Sequence, residues 1–561
     1  MADAGIDEAA AFGILERPSD SAMGDYAFPC FRLAKAFRKS PNAIAEDIAG
    51  ALPGGLFDKV ENVNAYVNVF IRKDLLCAEV ASAVRRDGDR YGGSQSGAGR
   101  RVIVEYSSPN IAKPFHIGHI RSTVIGSAIG NILEFLGYEV VRINHLGDYG
   151  TQFGKLITAY RRFGSREEVE KAPIQTLLRY YVEFHAKAET DPSLEEEARA
   201  AFAALERGEA EERALWEWFR AESLKEFTVV YGMLGIRFDS YAGESFYSDK
   251  MGRVMDELEQ DGLLEESDGA RIVDLDAYGL GKALITKRDG STLYITRDVA
   301  AAVYRKEEYD FSKNIYVVAS QQDLHFKQWI KIVELMGYDW ASDCIHVPFG
   351  LVSLKDSVMS TRTGNVVFLE DVLTNAVEKT KEIIAEKGVL TDHAEETARQ
   401  IGIGAVIFQE LHNNRIKDYV FDWDKVLNFE GETGPYVQYS YARAASLLRK
   451  GAEDAAGAGG AESQDGAIDP SYLTGGAAYA LAKLIYDLPG VVAEAGERYE
   501  PSLITRHVTD IAQAFSGFYH DEHILTANAE ERRAKLALAD CARQAIKNSL
   551  ALLGVEVPER M

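Results

Sequence analysis

Two histidines three residues apart, His116 and His119, flank a glycine in the run Ser107-Ser-Pro-Asn-Ile-Ala-Lys-Pro-Phe-His-Ile-Gly-His119. An apolar stretch, Arg101-Val-Ile-Val-Glu105, predicts a buried strand before the run, and Ile117 to Leu136 predicts a helix after it. The histidines therefore fall on the first turn of a helix, where unpaired N–H groups and the positive end of the helix dipole favour an anion. Both imidazoles can donate to phosphate oxygens, and Gly118 leaves room for a flat base against the backbone. The same residues also read as a capped helix with two partly exposed histidines. A metal site would need further ligands, and only His145 is at hand.

Two more groups could carry chemistry. Asn144-His-Leu-Gly-Asp148-Tyr-Gly-Thr-Gln152 forms a tight turn at the end of a strand predicted over Val140–Ile143, the end at which parallel sheets bind ligands. Tyr294 and Asp298 are four apart and share one face of a helix start. An ordinary salt bridge from Asp298 to Arg297 or a neighbour is the plain alternative. Cys30, Cys77, Cys344 and Cys541 are too widely spaced for a metal knuckle or a disulfide framework, so isolated thiols in a reducing compartment are expected.

The elements that must position these residues follow from pattern and punctuation. The chain has 561 residues, 46% hydrophobic and 27% charged, which excludes wholesale disorder and predicts several domains. Its 87 acidic residues against 62 Lys plus Arg give a net charge of -25, which argues against a simple basic-surface nucleic-acid binder but allows a local basic track. The N-terminus lacks the basic and apolar regions of a signal peptide, and no run approaches a membrane span, so a cytoplasmic protein with no membrane role is expected.

Residues 1–95 read as a small α+β domain. It carries a helix with Arg32, Lys35, Arg38 and Lys39 on its surface, a second helix after Ser40-Pro41, a strand from Val60 to Ile71 and a helix over 74–86. Gly92 to Gly99 is a flexible joint. Beyond it, strand–turn–helix–strand predicts an α/β domain with a Rossmann-like parallel sheet over 96–370. Short strands at 272–274 and 283–285 and a buried strand at 315–319 belong to this domain, and a charged helical insertion interrupts it at about 155–235. Connecting helices at 371–425 and an all-α domain at 426–561 complete the chain. The last domain has helices at 434–450, 474–495, 502–520 and 530–553, with a low-complexity break from Gly451 to Gly466.

The histidine run resembles the His-Ile-Gly-His signature of class I aminoacyl-tRNA synthetases, and its lead-in, Glu105-Tyr-Ser-Ser-Pro-Asn110-Ile-Ala-Lys113, narrows the resemblance to the arginyl-tRNA synthetase family. Three further stretches are similar to that family in the right order: the Asp148 turn, with Tyr149 where the family usually has Trp; Asp289-Gly-Ser-Thr-Leu-Tyr294-Ile-Thr-Arg-Asp298; and Phe349 to Gly364, which resembles the second, Lys-Met-Ser-Lys-Ser signature. The last departs from the consensus, because Val358 and Thr361 stand where the two lysines belong. Phe421 to Leu427, Thr433 to Arg443, and the ending Leu550 to Met561 resemble the helical anticodon-binding domain; Asn64 to Phe70 resembles the family's N-terminal module that docks on the tRNA elbow.

The resemblance implies an enzyme that joins arginine to tRNA(Arg) by way of arginyl-adenylate, using ATP with accompanying Mg²⁺, no structural zinc, and a monomeric chain. It assigns His116, His119 and Lys113 to catalysis, with Lys113 replacing the missing lysine and Lys355 as the second candidate. ATP contacts are expected from Phe115, Gly118, Lys355, Met359, Ser360 and Arg362 together with both histidines. Arginine contacts are expected from Glu105, Ser107, Asn110, Tyr294, Asp298 and Gln322, with Asp148 and Gln152 on a possible substrate loop. Asp298 and Tyr294 would meet the planar guanidinium, and Glu105 and Asn110 the α-amino end or a nearby part of the ligand. Transfer-RNA contacts are expected from Arg32, Lys35, Arg38, Asn64, Asn68 and Phe70, and from Tyr436, Tyr439 and Met561, with Phe518 and Tyr519 as further stacking candidates. Another nucleotidyl transferase of the same fold, cysteinyl or pantothenate-type, lacks support from a zinc set or the Tyr294–Asp298 pair; a non-enzymatic RNA-binding paralogue is favoured only by Val358.

Overall fold

A computed structural model describes residues 11–18, 20–287, 294–354, 367–386, 393–457, 468–526 and 528–561. These fall into two compact units: residues 1–91, 444–488 and 510–545 in one, and 92–443, 489–509 and 546–561 in the other.

The N-terminal part of the first unit runs β1 (Tyr26–Pro29), α1 (Ala34–Phe37), α2 (Pro41–Ala51), β2 (Phe57–Val63), β3 (Tyr66–Ile71) and α3 (Lys73–Asp87). The strands form an antiparallel sheet in the order β1-β3-β2. Ser40 caps α2, its hydroxyl accepting from the Ala43 N–H at 3.3 Å, and Pro41 takes the first turn, where its missing N–H costs nothing. The single strand expected over Val60–Ile71 is a hairpin instead: Asn64 and Ala65 both have positive φ, 50° and 63°, the condition for a tight two-residue turn. The sequence hides that turn because alanine, not glycine, takes its second position. The expected basic helix is also shorter, since Arg38 turns left-handed (φ 51°) and ends α1.

In the second unit β4 (Arg101–Glu105), α4 (Ile120–Phe135) and β5 (Glu139–Ile143) form the first strand–helix–strand unit. Helices α5 (Thr151–Phe163), α6 (Arg166–Lys171), α7 (Pro173–Ala188), α8 (Ser193–Glu206) and α9 (Ala210–Met233) form the helical insertion. After α10 (Met251–Gln260), β6 (Glu265–Ser267), β7 (Ala270–Asp274) and β8 (Lys282–Thr286) make a separate antiparallel sheet. Helix α11 (Tyr294–Tyr309), β9 (Lys313–Ala319), α12 (Asp323–Leu335) and β10 (Cys344–Phe349) return to the main sheet. That sheet is parallel throughout, in the order β10-β9-β4-β5. Val102, Ile103 and Val104 are fully buried, as a strand covered on both faces requires. Connections leave β4 toward β5 and β9 toward β10, so the chain reverses between β4 and β9. Their carboxyl ends flank the crevice that such a reversal opens.

The chain continues through β11 (Val352–Leu354), α13 (Leu369–Glu386), α14 (Ala394–His412), β12 (Tyr419–Phe421) and α15 (Trp423–Val426). The last helices are α16 (Gly434–Gly457), α17 (Gly476–Arg498), α18 (Ser502–Asp521) and α19 (Ala529–Leu552). Helix α16 passes through the expected break at Gly451, where a Cβ would lie 2.7 Å from a Leu536 methyl; that glycine is there for close packing, not to end the helix. Within the first unit, Lys483 pairs with Asp25 at 2.7 Å and the Tyr91 hydroxyl donates to the Ile485 carbonyl at 2.8 Å, joining residues of α17 to the N-terminal segment. Among the described residues no helix is long and apolar enough to cross a membrane, and the four cysteines are free and buried.

Helix α4 lies directly on the sheet. A Cβ added at Gly126 would fall 2.2 Å from Tyr106 Cβ, whereas one at Gly130 would meet only the Arg142 guanidinium, at 3.3 Å. Gly126→Ala is therefore expected to cost about 1–3 kcal/mol by overpacking, with Gly130→Ala costing less because the arginine head can move. Urea denaturation of both variants checks this; equal midpoints would contradict the close approach of α4 to the strand end.

Candidate active site

The histidine pair is built by a reciprocal cap. His116 is the N-cap of a single turn, Ile117–His119, that leads into α4. Its Nδ1 accepts from the Gly118 N–H at 3.0 Å, and the His116 N–H donates to His119 Nδ1 at 3.2 Å. With both Nδ1 atoms acting as acceptors, each neutral ring carries its proton on Nε2, the tautomer set by the hydrogen-bond network. Enclosure lowers both pKa values; for His119, enclosure first, then His116 and Lys113, pushes it down to about 3. The rings, 4.1 Å apart, are thus two neutral N–H donors. A Cβ at Gly118 would sit 2.8 Å from His116 Cε1, so the glycine is needed for the ring to fold over its own turn. Lys113 is half-buried and close enough to His119 to act on it electrostatically. Phe115 is 3% exposed and packs on His119, Phe227 and Tyr231, so it stands behind the histidine rather than open to solvent.

The loop between β4 and this turn is strained. Ser107, Ser108 and Ala112 have positive φ of 71°, 49° and 57°, conformations that cost non-glycine residues energy and persist where the surroundings enforce them. The Ser107 N–H donates to Ser122 Oγ (2.9 Å) and its hydroxyl bonds Tyr231 OH (2.8 Å), which fixes the serine below the surface. Asn110 is exposed and lies over Gly147, where a Cβ would be 2.3 Å from its Oδ1.

Both ends of the second-signature segment are fastened beside the histidines. The Ile117 N–H donates to the Val367 carbonyl (3.2 Å) and the Leu369 N–H to the Phe115 carbonyl (2.9 Å). At the other end, Arg121 Nη1 donates to the Gly350 and Lys417 carbonyls at 2.9 and 2.7 Å. Arg121 is fully buried 3.5 Å from Glu410, whose carboxyl is pushed up to about 8 by burial. Lys355, Val358, Met359, Ser360, Thr361, Arg362 and Gly364 themselves lie outside the described residues, as does the 289–293 part of the third stretch.

The remaining candidates come from strand ends. Glu105 closes β4, 7% exposed, with Oε2 2.6 Å from Arg305 Nη1. Gln322 is exposed just before α12. Tyr294 opens α11, 63% exposed, and Asp298 one turn later lies 2.5 Å from His325 Nε2. The partner of Asp298 is thus His325 and not Arg297, which pairs with Glu244 at 3.4 Å. Burial pushes the Glu244 carboxyl up to about 7, aided by Asp298 and Asp148 against the pull of Arg297.

Asp148, expected on a possible substrate loop, lies inside the protein. It is fully buried, its carboxylate accepting from Arg220 Nε (2.9 Å) and the Ser245 N–H (2.8 Å) and its carbonyl from Trp216 Nε1 (2.8 Å). Gln152 donates to the Tyr149 carbonyl at 3.0 Å. The insertion helix α9 therefore supports the site through Trp216 and Arg220, a role its acidic sequence does not advertise. Tyr149 stacks edgewise on Phe202 and lies under the Arg297 guanidinium. Sequence reasoning passed over Arg305, Glu244 and His325. Arg305 had a signal, being seven residues, two helical turns, from Asp298 on one face of α11; His325 is three residues from Gln322.

Of the RNA candidates, Arg32 pairs with Glu16 (3.1 Å), while Lys35, Arg38 and Asn64 are exposed. Lys39, on the same basic face, pairs with Asp47 (2.6 Å). Phe70 is half-buried beneath Lys59. Asn68 is 1% exposed with neither amide atom hydrogen-bonded, so its side chain lies inside the sheet rather than on the surface expected for it. Tyr439 is 39% exposed under Arg443, Tyr436 and Met561 are half-buried, and Tyr519 is 37% exposed. Phe518 is fully buried and so is core, not a stacking platform. Among the described residues no cluster of three or more His, Cys, Asp or Glu is placed to hold a metal ion.

Comparison with known proteins sets these residues in a family. Residues 79–423 match the model for class I (R) tRNA synthetase catalytic domains, 437–561 the DALR anticodon-binding domain, and 1–71 the arginyl-tRNA synthetase N-terminal domain. The chain is 55% identical over 549 residues to the arginine–tRNA ligases of Halothermothrix orenii and Clostridioides difficile, covering 98% of this chain and 95% of theirs. The arginyl-tRNA synthetase structure from Thermus thermophilus superposes with a TM-score of 0.80 at 26% identity, covering 98% of this chain and 96% of that one. The Plasmodium falciparum enzyme shares the fold at a TM-score of 0.79 and 23% identity, over 98% and 94% of the two chains. A class I catalytic sheet, flanked by family-specific N-terminal and anticodon-binding modules along its whole length, is what these matches describe: the chain belongs to the arginyl-tRNA synthetase family.

Proposed function

We propose that the chain is an arginine–tRNA ligase that activates L-arginine with ATP and transfers it to the 3′-terminal adenosine of tRNA(Arg), releasing AMP and pyrophosphate. The observation that carries this reading is the 55% identity to arginine–tRNA ligases over 98% of the chain. The backbone N–H groups of the histidine turn are hydrogen-bonded within the protein, so the Nε2–H groups of His116 and His119, with the Tyr294–Asp298 face of α11, support the chemistry this reading needs.

In the first step a carboxylate oxygen of arginine attacks the α-phosphorus of ATP in line. The bond to the bridging oxygen of the β-phosphate breaks, and pyrophosphate leaves with that electron pair. No protein nucleophile is required, so the work is positioning and offsetting of charge. The Nε2–H groups of His116 and His119 donate to phosphate oxygens, Gly118 faces the base, and Lys113 supplies the cation that Val358 cannot. Lys355, Met359, Ser360 and Arg362 act from the second signature. Mg²⁺ arrives with ATP as part of the substrate, and no structural zinc is invoked.

At the amino-acid end Asp298 and Tyr294 take the guanidinium, joined by Gln322, and Glu105 and Asn110 take the α-ammonium. Ser107, Asp148 and Gln152 hold the walls. A site built from a carboxylate and hydrogen-bond acceptors selects the planar cation and rejects neutral isosteres, which would leave the carboxylate unpaired. In the second step the 2′-hydroxyl of the terminal adenosine attacks the arginyl carbonyl and AMP departs. The N-terminal domain meets the tRNA elbow through Arg32, Lys35, Arg38, Asn64 and Phe70, and the C-terminal helices meet the anticodon through Tyr436, Tyr439 and Met561. The enzyme acts as a cytoplasmic monomer.

Arginine-dependent ATP–pyrophosphate exchange, run with and without tRNA(Arg), tests the reaction; exchange is expected with arginine alone among amino acids and to require tRNA, and its absence under both conditions would contradict an activating enzyme. Lys113→Ala should depress exchange about 100-fold or more, the typical cost of removing one transition-state donor. A comparable loss from Lys355→Ala with Lys113→Ala active would move the role to Lys355.

The histidine pair also predicts a pH response of stability. The folded His119 binds its proton near pH 3, whereas an unfolded histidine does so near the ordinary 6.5. Between those values the unfolded chain holds more protons, so this contribution is full above about pH 6.5 and is lost as pH falls toward 3. Urea midpoints of His119→Asn should therefore fall less than wild type between pH 7 and 5; parallel declines would mean the ring titrates normally in the folded protein.

A further inference from the structure

Arg305 is a fully buried cation that the mechanism above does not use. It sits two turns beyond Asp298 on α11, between the end of β4 and the inner ring surfaces of Tyr247 and Tyr316, whose centroids lie 5.7 and 5.5 Å from its guanidinium carbon. Its Nε donates to Tyr247 OH at 3.4 Å, Nη2 lies 3.3 Å from His145 Nδ1, and Nη1 lies 2.6 Å from Glu105 Oε2. The last contact is ionic without the alignment of a hydrogen bond, since Nη1 has no hydrogen-bond partner. A buried charge costs a great deal unless it is paired, and an apolar side chain of similar volume would be cheaper for the fold. Stability alone therefore does not explain an arginine here. What distinguishes its surroundings is one carboxylate at the carboxyl end of the strand that flanks the crevice.

We propose that Arg305 is the positioning residue for Glu105: it pins that carboxylate at the mouth of the sheet in the orientation that receives the α-ammonium of the substrate. The inference rests on the reading of Glu105 as the ammonium anchor. Helix α11 then aligns both ends of the substrate. Its first turns carry Tyr294 and Asp298 for the guanidinium, and two turns beyond Asp298 it carries the cation that fixes the opposite anchor. Arg305 engages Oε2 of Glu105, and Oε1 is the oxygen the proposal leaves for the ligand. Without the cation, the enclosed carboxylate is favoured to swing toward water, and that change loses the ammonium.

Three ligands separate this role from general support of the fold: L-arginine, agmatine, which lacks the carboxylate, and 5-guanidinopentanoate, which lacks the α-amino group. Their affinities are read by calorimetry on the full-length protein and, for arginine, by KM and kcat in exchange. Arg305→Met should weaken arginine and agmatine about 10-fold or more, equivalent to about 1.4 kcal/mol, and leave 5-guanidinopentanoate unchanged. KM for arginine should rise more than kcat falls, and Arg305→Lys should recover most of the loss. Equal weakening of all three ligands, or tighter binding of arginine once the competing cation is gone, would overturn the proposal. Tyr247→Phe removes one hydrogen bond to Arg305 and should give the same ligand pattern at about 2- to 3-fold. If Arg305→Met does not fold, this variant decides, and no ligand discrimination in it overturns the proposal. Glu105→Gln tests the underlying reading separately. If it leaves arginine binding intact, the ammonium anchor lies elsewhere; if it weakens arginine while the Arg305 and Tyr247 variants do not, only the positioning role fails.

Discussion

The parallel pairing of β4 with β9, which sets Glu105 beside Tyr316, is the constraint on which the rest of the site depends. It brings residues more than two hundred positions apart to one edge of one sheet. The histidine turn follows β4, Gln322 and α12 follow β9, and α11 enters β9 from the other side with Tyr294 and Asp298 at its start. The reversal of chain direction between the two strands leaves a crevice at their carboxyl ends, and every catalytic candidate among the described residues reaches it from one of these elements. Slippage of this pairing by one residue would turn each strand's side chains to the opposite face and separate the two halves of the site.

Charge at this edge is arranged in interlocking pairs. Glu105 meets Arg305, Asp148 meets Arg220, Glu244 meets Arg297, and Asp298 meets His325. A pocket for an arginine side chain must hold negative charge in advance of its ligand, and uncompensated carboxylates at this depth would take up protons instead. The protein's own cations occupy the deeper carboxylates, and the weakest of these partners, a histidine, lies against the most accessible one. On the phosphate side the logic is reversed. Enclosure keeps both histidines neutral and the reciprocal cap orients them, so the two rings present donors without adding fixed charge of their own. The net charge of -25 is compatible with RNA binding because phosphate contacts need only a local track such as that near Lys35 and Arg38.

Much of the site was legible from sequence where its parts are contiguous. His116, Gly118 and His119 share one turn, and strand, turn and helix around them were readable from periodicity alone. Tyr294 and Asp298 were legible as an i, i+4 pair on a helix start. Contacts that depend on tertiary meeting were not. Nothing local links Arg305 to Glu105, or Arg220 and Trp216 of the insertion to Asp148, and an acidic helical segment gives no sign that one face holds the Asp148 turn. Buried side chains misled in a second way: Asn68 and Phe518 have residue types suited to RNA, yet their positions on an inward-facing strand and a core helix put them beneath the surface. The hairpin at Asn64–Ala65 escaped because its positive φ angles are taken without glycine.

In the proposed mode of binding, the edge between β4 and α11 reads arginine with its guanidinium at Asp298 and its α-ammonium at Glu105. A crystal structure of the protein with L-arginine bound tests it most directly. The guanidinium should lie within hydrogen-bond distance of Asp298 and Tyr294, with His325 displaced from Asp298, and the α-ammonium on Glu105 while Arg305 keeps its contact to the same carboxylate. Arginine bound in the reverse sense, or outside this edge with the His325–Asp298 contact intact, would contradict it.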